Sequence, residues 1–305
     1  MTWWDPELRD RMAAFPSGRG DLSDPAVLAV LRDPGPDPAP EPDVHWTHAT
    51  VPNTAGDHEV GVRVYRPAQP HPNRPGYVLF HGGGLSFGSL NTEHRRCVAL
   101  TRDTGAVGVS VDFRMAPDHP PATILDDAYS VLRHTTEHPE AYDVDPRRLA
   151  VTGSSGGGML TLALAQLARD RGDTAPALQL ALYPNTDDRV LPAHASRREG
   201  LPVIPEEAIA QVMANLGPPT PYIVPNRTED LTGLCPAAIL VGQNDPLRDE
   251  VVDYAWRLLR SGVPTELHVL PGLPHGFDVF FPDIAATQHA DELAARAFRR
   301  FVSEA

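Results

Sequence analysis

The chain has 305 residues, 41% hydrophobic and 22% charged, long enough to bury a large core as one domain with insertions or as two domains. Its 26 Lys and Arg against 40 Asp and Glu leave a formal charge of −14, a surface that repels phosphate backbones and anionic membranes, so nucleic acid is not an expected partner. Two cysteines, Cys97 and Cys235, fit neither a metal pattern nor a disulfide framework and are expected to be reduced and packed.

The first turns mix acidic and basic residues, with no basic stretch leading into an apolar one, so no secretory signal is expected. No run approaches ~18 apolar residues, so no membrane span is expected and the chain reads as cytoplasmic. Residues 3–32 read as two short helices, with Asp5–Pro6 and Asp24–Pro25 each pairing an N-cap with proline at the first helical position. "DPGPDPAPEPD" at 33–43 is too proline-dense for a helix and reads as an extended connector. "EVGVRVYRP" then alternates apolar and polar residues, as a half-buried antiparallel strand does. "GYVLFHG", "AVGVSVD", "RLAVTG", "LQLALYP", "AAILVG" and "TELHVLP" are short apolar runs suited to strands buried on both faces of a parallel sheet. Helical patterns at 93–103, 124–136, 157–169, 250–260 and 285–302 lie among them. The alternation predicts an α/β fold, a mostly parallel central sheet with helices on both faces. Residues 186–232 break it, being rich in Pro, Arg and Asp with one helical pattern near 205–216. The expected division is 1–44 as cap helices and connector, 45–185 with 233–305 as core, and 186–232 as an insertion capping the sheet.

In "RLAVTGSSGGGMLTLALAQLA" an apolar strand runs into Gly153–Ser154–Ser155–Gly156–Gly157, and a helix leaves through Met159. The spacing is G-x-S-x-G, which on a sharp strand-to-helix turn lifts the middle serine above the sheet beside a helix N-terminus. It selects Ser155, since a frame centred on Ser154 needs glycine at Thr152. The alternative is that Ser155 only caps the helix. A serine needs a base and the base an orienting group. Asp245 and His275 each follow an apolar run, at the ends of strands where open α/β sheets bind ligands. Taken singly, Asp245 before Pro246 is also a helix cap, and His275 is also an exposed loop histidine. His81–Gly82–Gly83–Gly84 offers backbone N–H groups without side chains to obstruct them. The competing phosphate loop lacks both G-x-x-x-x-G-K-[ST] and G-x-G-x-x-G opening a helix. The 13 histidines include no H-E-x-x-H, so no metal or other cofactor is expected.

Five motifs in order, "HGGG" from His81, "VDFRMAPDHP" from Val111, "GSSGG" from Gly153, "DPLRDE" from Asp245 and "HGF" from His275, resemble the hormone-sensitive-lipase-like family of α/β-hydrolases, the bacterial HGGG carboxylesterases. The resemblance runs from about Val60 to the C-terminus. It implies an α/β-hydrolase fold with a two-part helical cap, Ser155 as nucleophile, His275 as base and Asp245 as its partner. It further implies an oxyanion hole from the N–H groups of Gly83, Gly84 and Gly156, with His81 shaping the loop and Arg114 and Asp118 bracing the site. The implied reaction is hydrolysis of a small-molecule ester of short to medium acyl chain, by a monomer or homodimer. Trp3, Trp4, Phe15, Leu85 and Phe87 are the expected apolar walls, with Ser154 beside the nucleophile. The chain departs from the family's G-D-S-A-G-G at Ser154 and Gly156, and has Leu85 where Phe or Trp is usual. The altered turn keeps open a biosynthetic relative with the same triad, an acyltransferase, cyclase or dehydratase; a non-catalytic ligand receptor is the third reading.

Overall fold

A computed structural model describes residues 2–15, 20–69, 71–189, 191, 196, 203–218, 220 and 222–302. Helices α1 (Arg9–Ala13) and α2 (Pro25–Arg32) open the chain, followed by β1 (Val44–Pro52), β2 (Glu59–Pro67) and β3 (Arg74–Phe80). Next come α3 (His94–Thr104), β4 (Val107–Asp112), α4 (Pro121–Glu137), the single-turn α5 (Pro139–Tyr142), β5 (Val144–Ser154), α6 (Gly156–Arg171) and β6 (Leu178–Leu182). After α7 (Glu206–Leu216), the chain closes with β7 (Ala237–Asn244), α8 (Arg248–Arg260), β8 (Thr265–Pro274), the single-turn α9 (Phe277–Phe280) and α10 (Ala285–Val302).

The eight strands form one sheet in the order β1-β2-β4-β3-β5-β6-β7-β8. β2 pairs antiparallel with β1 and β4, and every other pairing is parallel. This is the α/β architecture that the alternating apolar runs predict. The central strands are apolar along nearly their whole length because both faces are covered. α3 packs with α10, and α4 with α6, as two helix pairs against the sheet. One apolar cluster includes Cys97, Leu100 and Phe298, the other Ile124, Val131 and Leu164, all buried. Full burial of each such side chain stabilises by about 1.5–3 kcal/mol.

Two local readings change. Asp5 does not cap α1, which starts at Arg9 after Leu8; its Oδ1 accepts from Glu7 N at 2.9 Å in a turn ahead of the helix. Asp24 does cap α2, accepting from Ala26 N at 2.8 Å. β1 carried no strand signal, because it is an edge strand with most side chains in solvent and so no apolar alternation.

The expected helix near 205–216 is α7. Its Ala208 and Val212 cluster with Leu22, and Val27, Leu31 and Phe87 pack against them. Asn215 Nδ2 donates to the Leu22 carbonyl at 2.9 Å, so α7 is tied to the segment that opens α2. Residues 190, 192–195, 197–202, 219 and 221 of the 186–232 segment, and 16–19 of the N-terminal one, lie outside the described residues.

Candidate active site

The parallel strands deliver three side chains to one edge of the sheet. Ser155 follows β5, Asp245 follows β7 and His275 follows β8, each at the strand's carboxyl end. The turn at Ser155 is sharp, with φ 51° and ψ −120°. Such geometry is strained for a residue with a side chain and persists only where its surroundings hold it. The surroundings do so by close approach: a Cβ on Gly153 would stand 2.4 Å from the Gly157 carbonyl oxygen, and one on Gly157 would stand 2.1 Å from that of Phe80. Only glycine fits at either position.

Ser155 Oγ lies 2.9 Å from His275 Nε2, and His275 Nδ1 lies 2.9 Å from Asp245 Oδ2. All three residues are buried. A carboxylate facing Nδ1 assigns the proton to that nitrogen and leaves Nε2 as an acceptor for the serine hydroxyl, an assignment inferred from the partners. Asp245 Oδ1 accepts from Leu247 N at 2.8 Å, which fixes the carboxylate. The Tyr183 ring meets the His275 ring edge-on at 4.8 Å.

The loop after β3 faces this group. Gly83 and Gly84 have φ of 114° and 59°. A Cβ on Gly156 would lie 2.6 Å from the Gly84 nitrogen, so the loop rests directly on the first residue of α6. Among the described residues none accepts a hydrogen bond from the Gly83 or Gly84 amide. Both glycines line the cleft. His81 lies behind the loop, its Nδ1 2.8 Å from the Gly82 carbonyl and its ring stacked on Phe113 at 4.3 Å. Burial holds its pKa below the ordinary value. Arg114 braces buried Asp127 through Nη2 at 2.7 Å and Nε at 3.0 Å, and Asp118 pairs with Arg32.

The cleft has a volume of about 220 Å³, with apolar walls that include Leu31, Phe87, Ile209, Val212 and Phe280. Phe87 and Ser154 line it as expected; Leu85, Trp3 and Trp4 do not. Leu85 has φ 58° and its side chain is buried in the apolar cluster that includes Phe113 and Ile124. Trp3 is 51% exposed, and its carbonyl accepts from Asn244 Nδ2 at 2.7 Å. Trp4 packs on the main apolar cluster. Phe15 stands one side chain behind the wall, edge-on to Phe280 at 5.5 Å.

Sequence reasoning missed Glu93. Its buried carboxyl accepts from Ser154 Oγ and, at 3.2 Å, from Gly82 N. Its Oε2 lies 3.3 Å from Arg96 Nη1, and Arg96 Nη2 donates to Asp278 and, at 3.1 Å, to the Tyr183 hydroxyl. Burial raises the Glu93 pKa, which Arg96 only partly opposes. The sole sequence signal was a Glu–Arg pair three residues apart ahead of an apolar stretch. Asn185, whose Oδ1 lies 3.5 Å from Ser155 Oγ, carried none. Both cysteines are free; Cys97 is buried, which pushes its thiol up to about 12. Among the described residues, no three His, Cys, Asp or Glu side chains converge as metal ligands, and no helix is long and apolar enough to cross a membrane.

A family profile described as alpha/beta hydrolase fold matches residues 77–279. The chain is similar to Esterase LipI of Mycobacterium tuberculosis, 34% identical over 283 residues that cover 90% of this chain and 87% of that protein. Carboxylesterase NlhH of the same organism is 33% identical over 309 residues, 97% of this chain and 95% of that one. Among solved structures, a bacterial heroin esterase superposes with a TM-score of 0.88 at 29% identity, over 98% of each chain.

Proposed function

The chain belongs to the hormone-sensitive-lipase-like family of α/β-hydrolases, the carboxylesterase type, and from that premise we propose that it hydrolyses small carboxylic esters through an acyl-enzyme on Ser155. The observation that carries this reading is the continuous pair of 2.9 Å contacts from Asp245 through His275 to Ser155. Asp245 keeps the His275 proton on Nδ1. Nε2 takes the Ser155 proton as Oγ attacks the ester carbonyl. The N–H groups of Gly83, Gly84 and Gly156 then face the new oxyanion, where one such donor is worth about 3–4 kcal/mol. The imidazolium returns its proton to the departing alkoxide, and water repeats the sequence on the acyl-enzyme.

The cleft supports a small substrate. A volume of about 220 Å³ lies below the roughly 300–1,000 Å³ of a drug-sized site, which favours short to medium acyl chains. In this reading segments 1–44 and 186–232 form the cap, and 45–185 with 233–305 the core. Packing of α7 against Leu22 supports a two-part cap.

A fluorophosphonate probe followed by peptide mass spectrometry tests the assignment. The expected result is an adduct at Ser155 that His275→Ala abolishes. Folded protein that takes no label, or takes it elsewhere, overturns the reading.

A further inference from the structure

We propose that Glu93 is a positioning residue of this site: its carboxyl clamps the glycine loop to the serine turn and so holds the oxyanion donors in register with the nucleophile. The proposal rests on the ester-hydrolase reading of Ser155. One oxygen, Oε1, accepts from Gly82 N on the loop and from Ser154 Oγ on the turn. Each of those residues is the immediate neighbour of a working group, Gly83 on one side and Ser155 on the other. The two segments are already in close approach, since a Cβ on Gly82 would lie 2.9 Å from Ser154 Oγ. A loop and a turn from different strands thus share one acceptor. The turn itself contains no carboxyl group, only Ser154, so the carboxyl enters from the start of α3.

Glu93 is itself held. Arg96 lies against Oε2, and the same guanidinium binds Asp278, three residues beyond His275, and the hydroxyl of Tyr183, whose ring faces His275. Asp278 is also 3.9 Å from Arg95. One buried cation therefore joins the glycine loop, the serine turn and the histidine loop. Among the described residues Glu93 makes no hydrogen bond to Ser155, and His275 occupies the place of the base, which makes Glu93 a positioning group.

The test compares Glu93→Ala, Glu93→Gln, Ser154→Ala and the double variant Glu93→Ala/Ser154→Ala by steady-state ester hydrolysis and by thermal unfolding. Glu93→Ala is expected to lower kcat on the order of 10- to 100-fold, the effect of a small misplacement, with KM within about threefold. Glu93→Gln keeps an acceptor oxygen and is expected to recover most of kcat. In unfolding, the double variant is expected to lose less than the sum of the single losses, because both single changes break the same bond. Ser154→Ala breaks one arm of the clamp by removing a single oxygen, so it keeps the test decisive if Glu93→Ala does not fold. A kcat for Glu93→Ala within twofold of wild type overturns the proposal. So does a loss confined to KM, no rescue by glutamine, or strict additivity of the unfolding losses. A wild-type protein that neither hydrolyses esters nor takes the probe overturns the Ser155 reading instead, and the unfolding additivity still decides the clamp.

Discussion

Arg32 Nε donates to the Ser86 carbonyl at 2.7 Å, tying the last residue of α2 to the glycine loop. Its Nη2 donates to the Ala116 carbonyl at 2.5 Å, and Nη1 pairs with Asp118. Beside it, Gly88 N donates to the Leu31 carbonyl at 3.3 Å. The N-terminal helix thus grips the segment that carries the proposed oxyanion donors. Arg32→Ala is expected to reduce kcat/KM about tenfold, as the loop loses contacts of about 1.5–3 kcal/mol to a charged donor. Arg32→Lys should restore only part, since an ammonium cannot present three forked donors. Ester hydrolysis by both variants checks this, and equal activity of all three proteins would refute it.

Gly84→Ala is expected to lose more than about 100-fold in kcat, the scale of a lost oxyanion donor. A Cβ there would sit 2.3 Å from Val212 Cγ1, and φ is +59°. Adding Val212→Ala removes the clash and leaves the backbone strain, so the double variant should recover a fraction only. Full recovery would mean that Val212 alone sets the requirement for glycine.

Ser155→Ala should abolish probe labelling and ester turnover, whereas Ser154→Ala should keep labelling and lose far less rate. Equal losses in the two variants would move the nucleophile assignment away from the G-x-S-x-G frame.

His81 makes stability depend on pH. Burial is the main cause of its lowered pKa, and its bond to the Gly82 carbonyl opposes the shift. The folded state therefore keeps the ring neutral where the unfolded chain, at the ordinary value of 6.5, binds a proton. Its contribution is fully present above 6.5 and drains away as pH falls from there towards the folded-state value, by at most about 1.4 kcal/mol per pH unit. Thermal unfolding of wild type and His81→Asn between about pH 5 and 7.5 checks this. The variant should show the shallower decline on acidification, and parallel curves would remove His81 as the cause.

The groups legible in the sequence are those whose geometry is local. Gly153 is demanded by the Gly157 carbonyl four residues on, and Gly83 by the Phe87 carbonyl four residues on, each within its own segment. Asp245 and His275 were readable because each follows an apolar strand directly. Glu93 and Trp3 were missed for non-local reasons. Glu93 meets partners on β5, on the glycine loop and, through Arg96, on α9, and no spacing along the chain records such a meeting. Trp3 was assigned to the wall by its aromatic character, yet its carbonyl is held by Asn244, 241 positions away. Leu85 failed for a backbone reason, since its left-handed φ turns the side chain from the cleft into the core.

Ser155 and its proposed base His275 are separated by 120 positions, and Asp245 stands 30 before His275. During synthesis the serine turn leaves the ribosome midway along the chain, yet in the proposed mechanism its hydroxyl has no base until β8 has emerged and docked beside β7. Under the proposed mechanism a growing chain is therefore chemically silent towards esters for most of its birth, and a chain cut anywhere before His275 stays silent. The proposed activity appears only with the last strand in place, so turnover by this protein doubles as a reporter that its sheet is complete.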